Sequence, residues 1–216
     1  MAITFNRVSV PTSAGASPVT LTITSSTGNL LIGLFVVNSG VTISGITDSK
    51  SQTWTALASH GTSTGGNAYI FYKLSSLTGV TSITVTMSAT GIDAAVIDCG
   101  STTGGALDTS NSLSSQTTNN PAPSLVAAGA GICTAVVAVN AAVGGAGAPF
   151  TDELMTGSNI TGADGGGHDV NGAGGTLTCT FTGTVANWSS SIAAFKEASA
   201  STVFSYNQTQ GPTWRI

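Results

Sequence analysis

The chain has 216 residues, long for an average domain yet within the range of a single all-β unit. Only 6% of it is charged, against roughly a quarter in an ordinary soluble domain, and 41% is hydrophobic with much Ser, Thr and Gly besides, so the expected surface is neutral and hydroxylated. With Lys plus Arg at 5 and no basic cluster, the chain lacks the cations to neutralise a run of phosphates, which excludes nucleic acid as a partner.

The N-terminus, MAITFNRVSV, has no charged start leading into an unbroken apolar stretch, so no secretory signal is expected and the mature chain is expected to begin at Met1. In TLTIT, Leu21 and Ile23 alternate with threonines, as a half-buried strand requires. LLIGLFVV (30–37) and AYIFYKL (68–74) are apolar on both faces, which suits central strands covered on both sides. Between them, ITDSKSQTWTAL places turn residues Asp48 to Gln52 in a hairpin. Trp54 and Ala56 then share a face, with Trp54 expected in the core rather than as a platform for a sugar.

TSITVTMSAT puts Ile83, Val85 and Met87 on one face and Ser82, Thr84 and Thr86 on the other. In GIDAAVIDCG, Asp93 and Asp98 stand an odd number of positions apart, so they point to opposite faces and read as turn or strand-end caps. The stretch Leu125 to Phe150 is uncharged and longer than the ~20 residues that cross a bilayer. Its Ala and Gly content, its internal Asn140 and its missing basic flanks argue against a membrane span and for a buried strand, Ile132 to Val139, between glycine loops. TLTCTFTGT returns to alternation, with Leu177, Cys179 and Phe181 inward. The pattern ends near AAFKEASA.

Gly, Asn, Ser and Pro clusters separate these runs, and neither a helix nor a fixed-period internal repeat is visible. The expectation is an all-β fold, an antiparallel β-sandwich of jelly-roll or immunoglobulin-like type over residues 1–200, followed by an extended C-terminal tail, 201–216.

Reactive chemistry is sparse. His60 and His168 have no evident partner, and in GGGHDV the adjacent His168 and Asp169 would point to opposite faces of a strand, so a solvated loop is expected. ADGGGHD occurs once, without the repeated spacing a calcium site needs. No GxSxG, P-loop, CxxC or HExxH is present, so no catalytic, cofactor or metal residue is assigned and the protein is not expected to be an enzyme. Cys99, Cys133 and Cys179 lack zinc spacing and read as buried free thiols made in a reducing cytosol. Sequons at Asn159, Asn187 and Asn207 are what chance gives in so Ser/Thr-rich a chain, and the threonine rows lack the regular repeat of an ice-binding surface.

The succession GNLLIGLFVVNSG, ITDSKSQTWTAL, AYIFYKLSSLTGVTSITVTMS, ALDTSNS and SSIAAFKEA, spanning roughly residues 20 to 198, resembles Gly/Ser/Thr-rich β-sandwich domains of bacteriophage virion proteins and some bacterial surface proteins. The resemblance implies a structural or adhesive role. On that basis the expected protein is a capsid decoration or cement protein of the virion, assembled in the host cytoplasm. It would act as a homo-oligomer, such as a trimer, on the major capsid protein. The alternative is a glycan- or receptor-binding module of a tail fibre or cell surface. The tail concentrates Phe204, Tyr206, Trp214 and Ile216 after the last strand, which suits an arm that docks on a neighbour's sheet edge.

Overall fold

The computed structural model describes residues 3–9, 16–25, 29–100, 105–115, 120–140, 142–153, 163–171, 174–183 and 187–197. In the first half these form β1 (Thr4–Ser9), β2 (Val19–Thr22), β3 (Asn29–Val37), β4 (Ile43–Asp48), β5 (Thr55–Ala56), β6 (Gly61–Ser63), β7 (Gly66–Ser76), β8 (Ser82–Met87) and β9 (Ile92–Gly100). In the second they form β10 (Gly105–Ser115), β11 (Ser124–Ala127), β12 (Gly131–Val139), β13 (Thr151–Glu153), β14 (Ala163–Asn171), β15 (Gly175–Thr178) and β16 (Trp188–Glu197). Every pairing is antiparallel. Among the described residues no helix is long and apolar enough to cross a membrane, and Ile132 to Val139 lie in the buried strand β12 as expected.

The strands lie in four sheets. Two are large, β1-β9-β3-β7-β5 with β6 also on β7, and β10-β16-β12-β14-β13; two are small, β2-β8-β4 and β11-β15. Their apolar faces define the stacking order. Leu31, Phe35, Val37, Phe71 and Val96 of the first large sheet pack against Leu21, Ile46, Ile83 and Val85 of the three-stranded sheet. The opposite face of that large sheet, with Leu30, Ile32, Leu34, Ile70 and Ile97, meets Ile132, Val136, Ala138 and Phe195 of the second. The far side of the second, with Cys133, Val137 and Ile192, is covered by Leu125, Leu177 and Phe181. Strands β3 and β12 are thus buried on both faces, which is why they read as unbroken apolar runs while β2, β8 and β15 alternate.

The antiparallel β-sandwich expected from the sequence is present, and it is doubled. Replacing β1, β9, β3, β7 and β5 by β10, β16, β12, β14 and β13 turns the order of one large sheet into that of the other, and β2-β8 becomes β11-β15. The registers agree: Val36 of β3 lies between Ala68 and Asp93, and its counterpart Ala138 of β12 lies between Asp164 and Ser189. A faint sequence echo follows, LLIGLFVVN at 30–38 against ICTAVVAVN at 132–140, and SITVTMS at 82–88 against TLTCTFT at 176–182. The two sandwiches meet through their large sheets in a seam, with β1 against β12 and β10 against β6 and β7.

Close approach at the seam requires glycine. A Cβ on Gly61 would lie 2.5 Å from both the backbone nitrogen and the backbone oxygen of Ser190, so a larger residue would push β6 off β16. Gly66, at φ 134, starts β7 in a conformation that L side chains rarely adopt.

Candidate functional site

Trp54 is 3% exposed. Its indole Nε1 donates to Asp48 Oδ2 at 3.1 Å, while Asp48 Oδ1 accepts the backbone N–H of Lys50 at 2.9 Å and of Gln52 at 3.1 Å. One carboxylate closes the turn and satisfies the buried ring, and Trp54 is a core residue. Ala56 does not share its face: Ala56 is exposed and Leu57 is buried. The cause is a crossing of the chain between sheets, since the Trp54 N–H bonds to Ile46 in the small sheet whereas Thr55 pairs with Tyr72 in the large one. Period-two alternation does not survive that crossing.

The seam holds most of the unexpected chemistry. Asp93 and Asp98 do lie on opposite faces of β9, but they are not exposed caps: both are within the strand, at 3% and 1% exposure. Asp93 faces the second sandwich and its side chain is hydrogen bonded to that of Asp164 on β14. Burial first, then the charge of Asp93 and the hydrogen bond to it, push the Asp164 carboxyl up to about 8. Two buried carboxyls this close favour a single proton held between them at neutral pH. Ser189, the counterpart of Asp93 in the repeat, bridges the seam through its hydroxyl, donating to Gly66 O at 2.8 Å, and Ser191 Oγ donates to Ala68 O at 2.7 Å.

His168 is not in a solvated loop. It sits in β14, buried, with Nδ1 in direct contact with Glu153 Oε1 of β13, and Phe5 of β1 stacks on its ring with centroids 4.1 Å apart and planes 14° from parallel. The expectation that it lacks a partner is corrected, because the acid comes from the neighbouring strand rather than from Asp169. Asp164, Gly166 and His168 alternate, so they share the seam face. That even spacing was the sequence signal available. Beside them a recess of about 80 Å³ is lined by Gly144, Gly145, Asp152, Glu153 and Asp164. Among the described residues no cluster of three or more His, Cys, Asp or Glu is arranged to hold a metal ion.

A second feature lies at the edge of the first sandwich. His60, exposed, stacks on Tyr69 with centroids 4.1 Å apart and planes 20° from parallel, which corrects the expectation that it has no partner. Next to it, Ser39, Gly40, Thr62, Ser63, Thr64 and Asn67 line an open groove of about 410 Å³. Asn67 Nδ2 donates to Val41 O at 2.7 Å and holds the turn after β3 against β7.

Phe204, Tyr206, Trp214 and Ile216, expected to bind a partner, lie outside the described residues, as do the sequons at Asn159 and Asn207. The three cysteines are free and buried. The chain matches no family model, no curated protein and no solved structure.

Proposed function

We propose that this chain is a non-enzymatic structural protein of a bacteriophage virion, a capsid decoration or cement protein that forms homo-oligomers on the major capsid protein. The observation that carries the reading is the doubled sandwich: four sheets stacked on three continuous cores give a thick plate, with Asp93, Asp164, Glu153 and His168 turned into its seam. Such a plate resists deformation and offers its edges for assembly. The 11-residue edge strand β10 pairs only with β16 among the described residues, and its one charge, Asp108, is held by Lys196 Nζ at 2.6 Å and by the Ala128 N–H at 2.6 Å. An edge with so little charge is suited to being covered by another subunit.

Shell stabilisation would come from apolar and backbone surface buried across subunit joints, with the tail as the arm. Quantitative mass spectrometry of purified virions tests this: copy numbers matching the capsid lattice are expected, and absence from the virion, or a handful of copies, overturns it. Deleting 201–216 is expected to leave the β-sheet circular dichroism and melting unchanged while abolishing oligomerisation or capsid attachment. Normal assembly of the truncated chain would remove the tail from the proposal. A glycan-binding module of a tail fibre or cell surface is the second reading, favoured by the hydroxyl-lined groove beside His60.

A further inference from the structure

We infer that the groove between the β3–β4 turn and the β6–β7 hairpin is a binding site for a neutral saccharide, with His60 as its stacking platform. The placement follows from register. Thr62 of β6 is paired with Asn67 of β7, and His60, just before β6, stacks on Tyr69, two residues beyond Asn67 in β7. Asn67 and Tyr69, two apart in β7, share a face, so the imidazole stacked on Tyr69 lies beyond the end of the groove marked by Asn67. Tyr69 is buried against Phe71 in the core and holds the imidazole flat from beneath, leaving its outer face to solvent. Burial lowers the His60 pKa, which favours the neutral ring.

The lining selects the ligand class. Ser39, Thr62 and Thr64 supply hydroxyls that both donate and accept, as a sugar's hydroxyls do, while Ser63 and Asn67 are engaged within the fold and hold the wall in place. No charged residue lines the groove, so phosphorylated or acidic ligands gain nothing there. Nor does it carry the apolar anchor on which a protein interface depends: among the described residues the exposed large apolar ones, Leu77, Leu113, Val126 and Val170, are not in its lining. The groove's floor is fixed rather than adaptable. Ser63 Oγ donates to Gly66 O at 3.2 Å and accepts the Gly65 N–H at 3.0 Å, while Ser39, Thr62 and Thr64 keep their hydroxyls for a ligand. A volume of about 410 Å³ is in the range of small-molecule sites.

The test is an amide-resolved NMR titration of the full chain with linear hexasaccharides of glucose, mannose and N-acetylglucosamine. At least one is expected to move the signals of Ser39–Gly40 and Thr62–Asn67 together with the His60 ring. The exposed substitution His60→Ala should weaken that binding about tenfold, the scale of a lost ring contact, and Thr62→Val several-fold, both with unchanged circular dichroism. No response to any of the three sugars, shifts confined to other surfaces, or undiminished binding by His60→Ala overturns the assignment. The shell proposal is decided separately, by virion copy number.

Discussion

Three hydrogen bonds converge on the Asp48 side chain, two from the turn it closes and one from the indole of Trp54. Trp54→Ala empties a site in the core between the outer and large sheets and is expected to cost about 3 to 5 kcal/mol. Asp48→Ala keeps the ring but strands its N–H and is expected to cost about 2 to 3 kcal/mol, both read by urea denaturation. Asp164 makes a pH prediction. Its carboxyl is raised from 3.8 to about 8 by burial and by Asp93, so the folded chain holds a proton that the unfolded chain releases across that window. The stabilising contribution is full below pH 3.8, declines as pH rises, and is gone above about 8. Asp164→Asn should melt with a flatter pH profile than the parent and be the more stable of the two at alkaline pH. Burial also raises all three thiols, Cys179 to about 12, so native protein should react with none and denatured, unreduced protein with three.

How much each element shows in the sequence depends on what its side chains had to satisfy. Strands β2, β8 and β15 have one wet face and one core face, and their alternation could be read directly; β3 and β12 have two core faces and read as apolar runs. Strand β14, ADGGGHDVN, has neither pattern. It is placed by pairing with β12 and β13 and by polar contacts across the seam, and two of its glycines sit in close quarters: a Cβ on Gly165 would lie 3.0 Å from the Phe181 ring, and one on Gly167 2.7 Å from the Ala146 Cβ and 3.5 Å from Cys179 Sγ. Gly167→Val should therefore lower stability by about 1 to 3 kcal/mol or more through overpacking, although valine is the better strand former. The contacts between buried ionisable side chains were hidden for the same reason, since Asp93 meets Asp164 and Glu153 meets His168 only through sheet stacking and pairing. The repeat was hidden too. Equivalent positions such as Tyr72 and His168 share orientation and neighbours, not chemistry, and the loops between equivalent strands differ in length.

For the whole molecule, the seam core is as continuous as the cores inside each sandwich, with Ile32, Leu34 and Ile97 of one large sheet and Ile132, Val136 and Phe195 of the other all buried. Neither half can unfold without exposing the inner face of its partner. Trp54 lies in the first half's own core and Trp188 in the second's, so single-tryptophan variants reporting from each should melt in one coincident transition. Separate midpoints would show that the seam couples the halves weakly. The repeat also bears on chain order. The chain passes from the end of β9 at Gly100 to the start of β10 at Gly105 in crossing from one sandwich to the other. If the halves are equivalent, the end of β16 stands to the start of β1 as the end of β9 stands to the start of β10; Ile3, just before β1, shares the seam core with Ile132, which is paired with Phe195 near the end of β16. A circular permutant cut between Gly100 and Gly105, with Glu197 joined to Ile3 by a short linker, should fold to the same plate with the two sandwiches in reversed order along the chain.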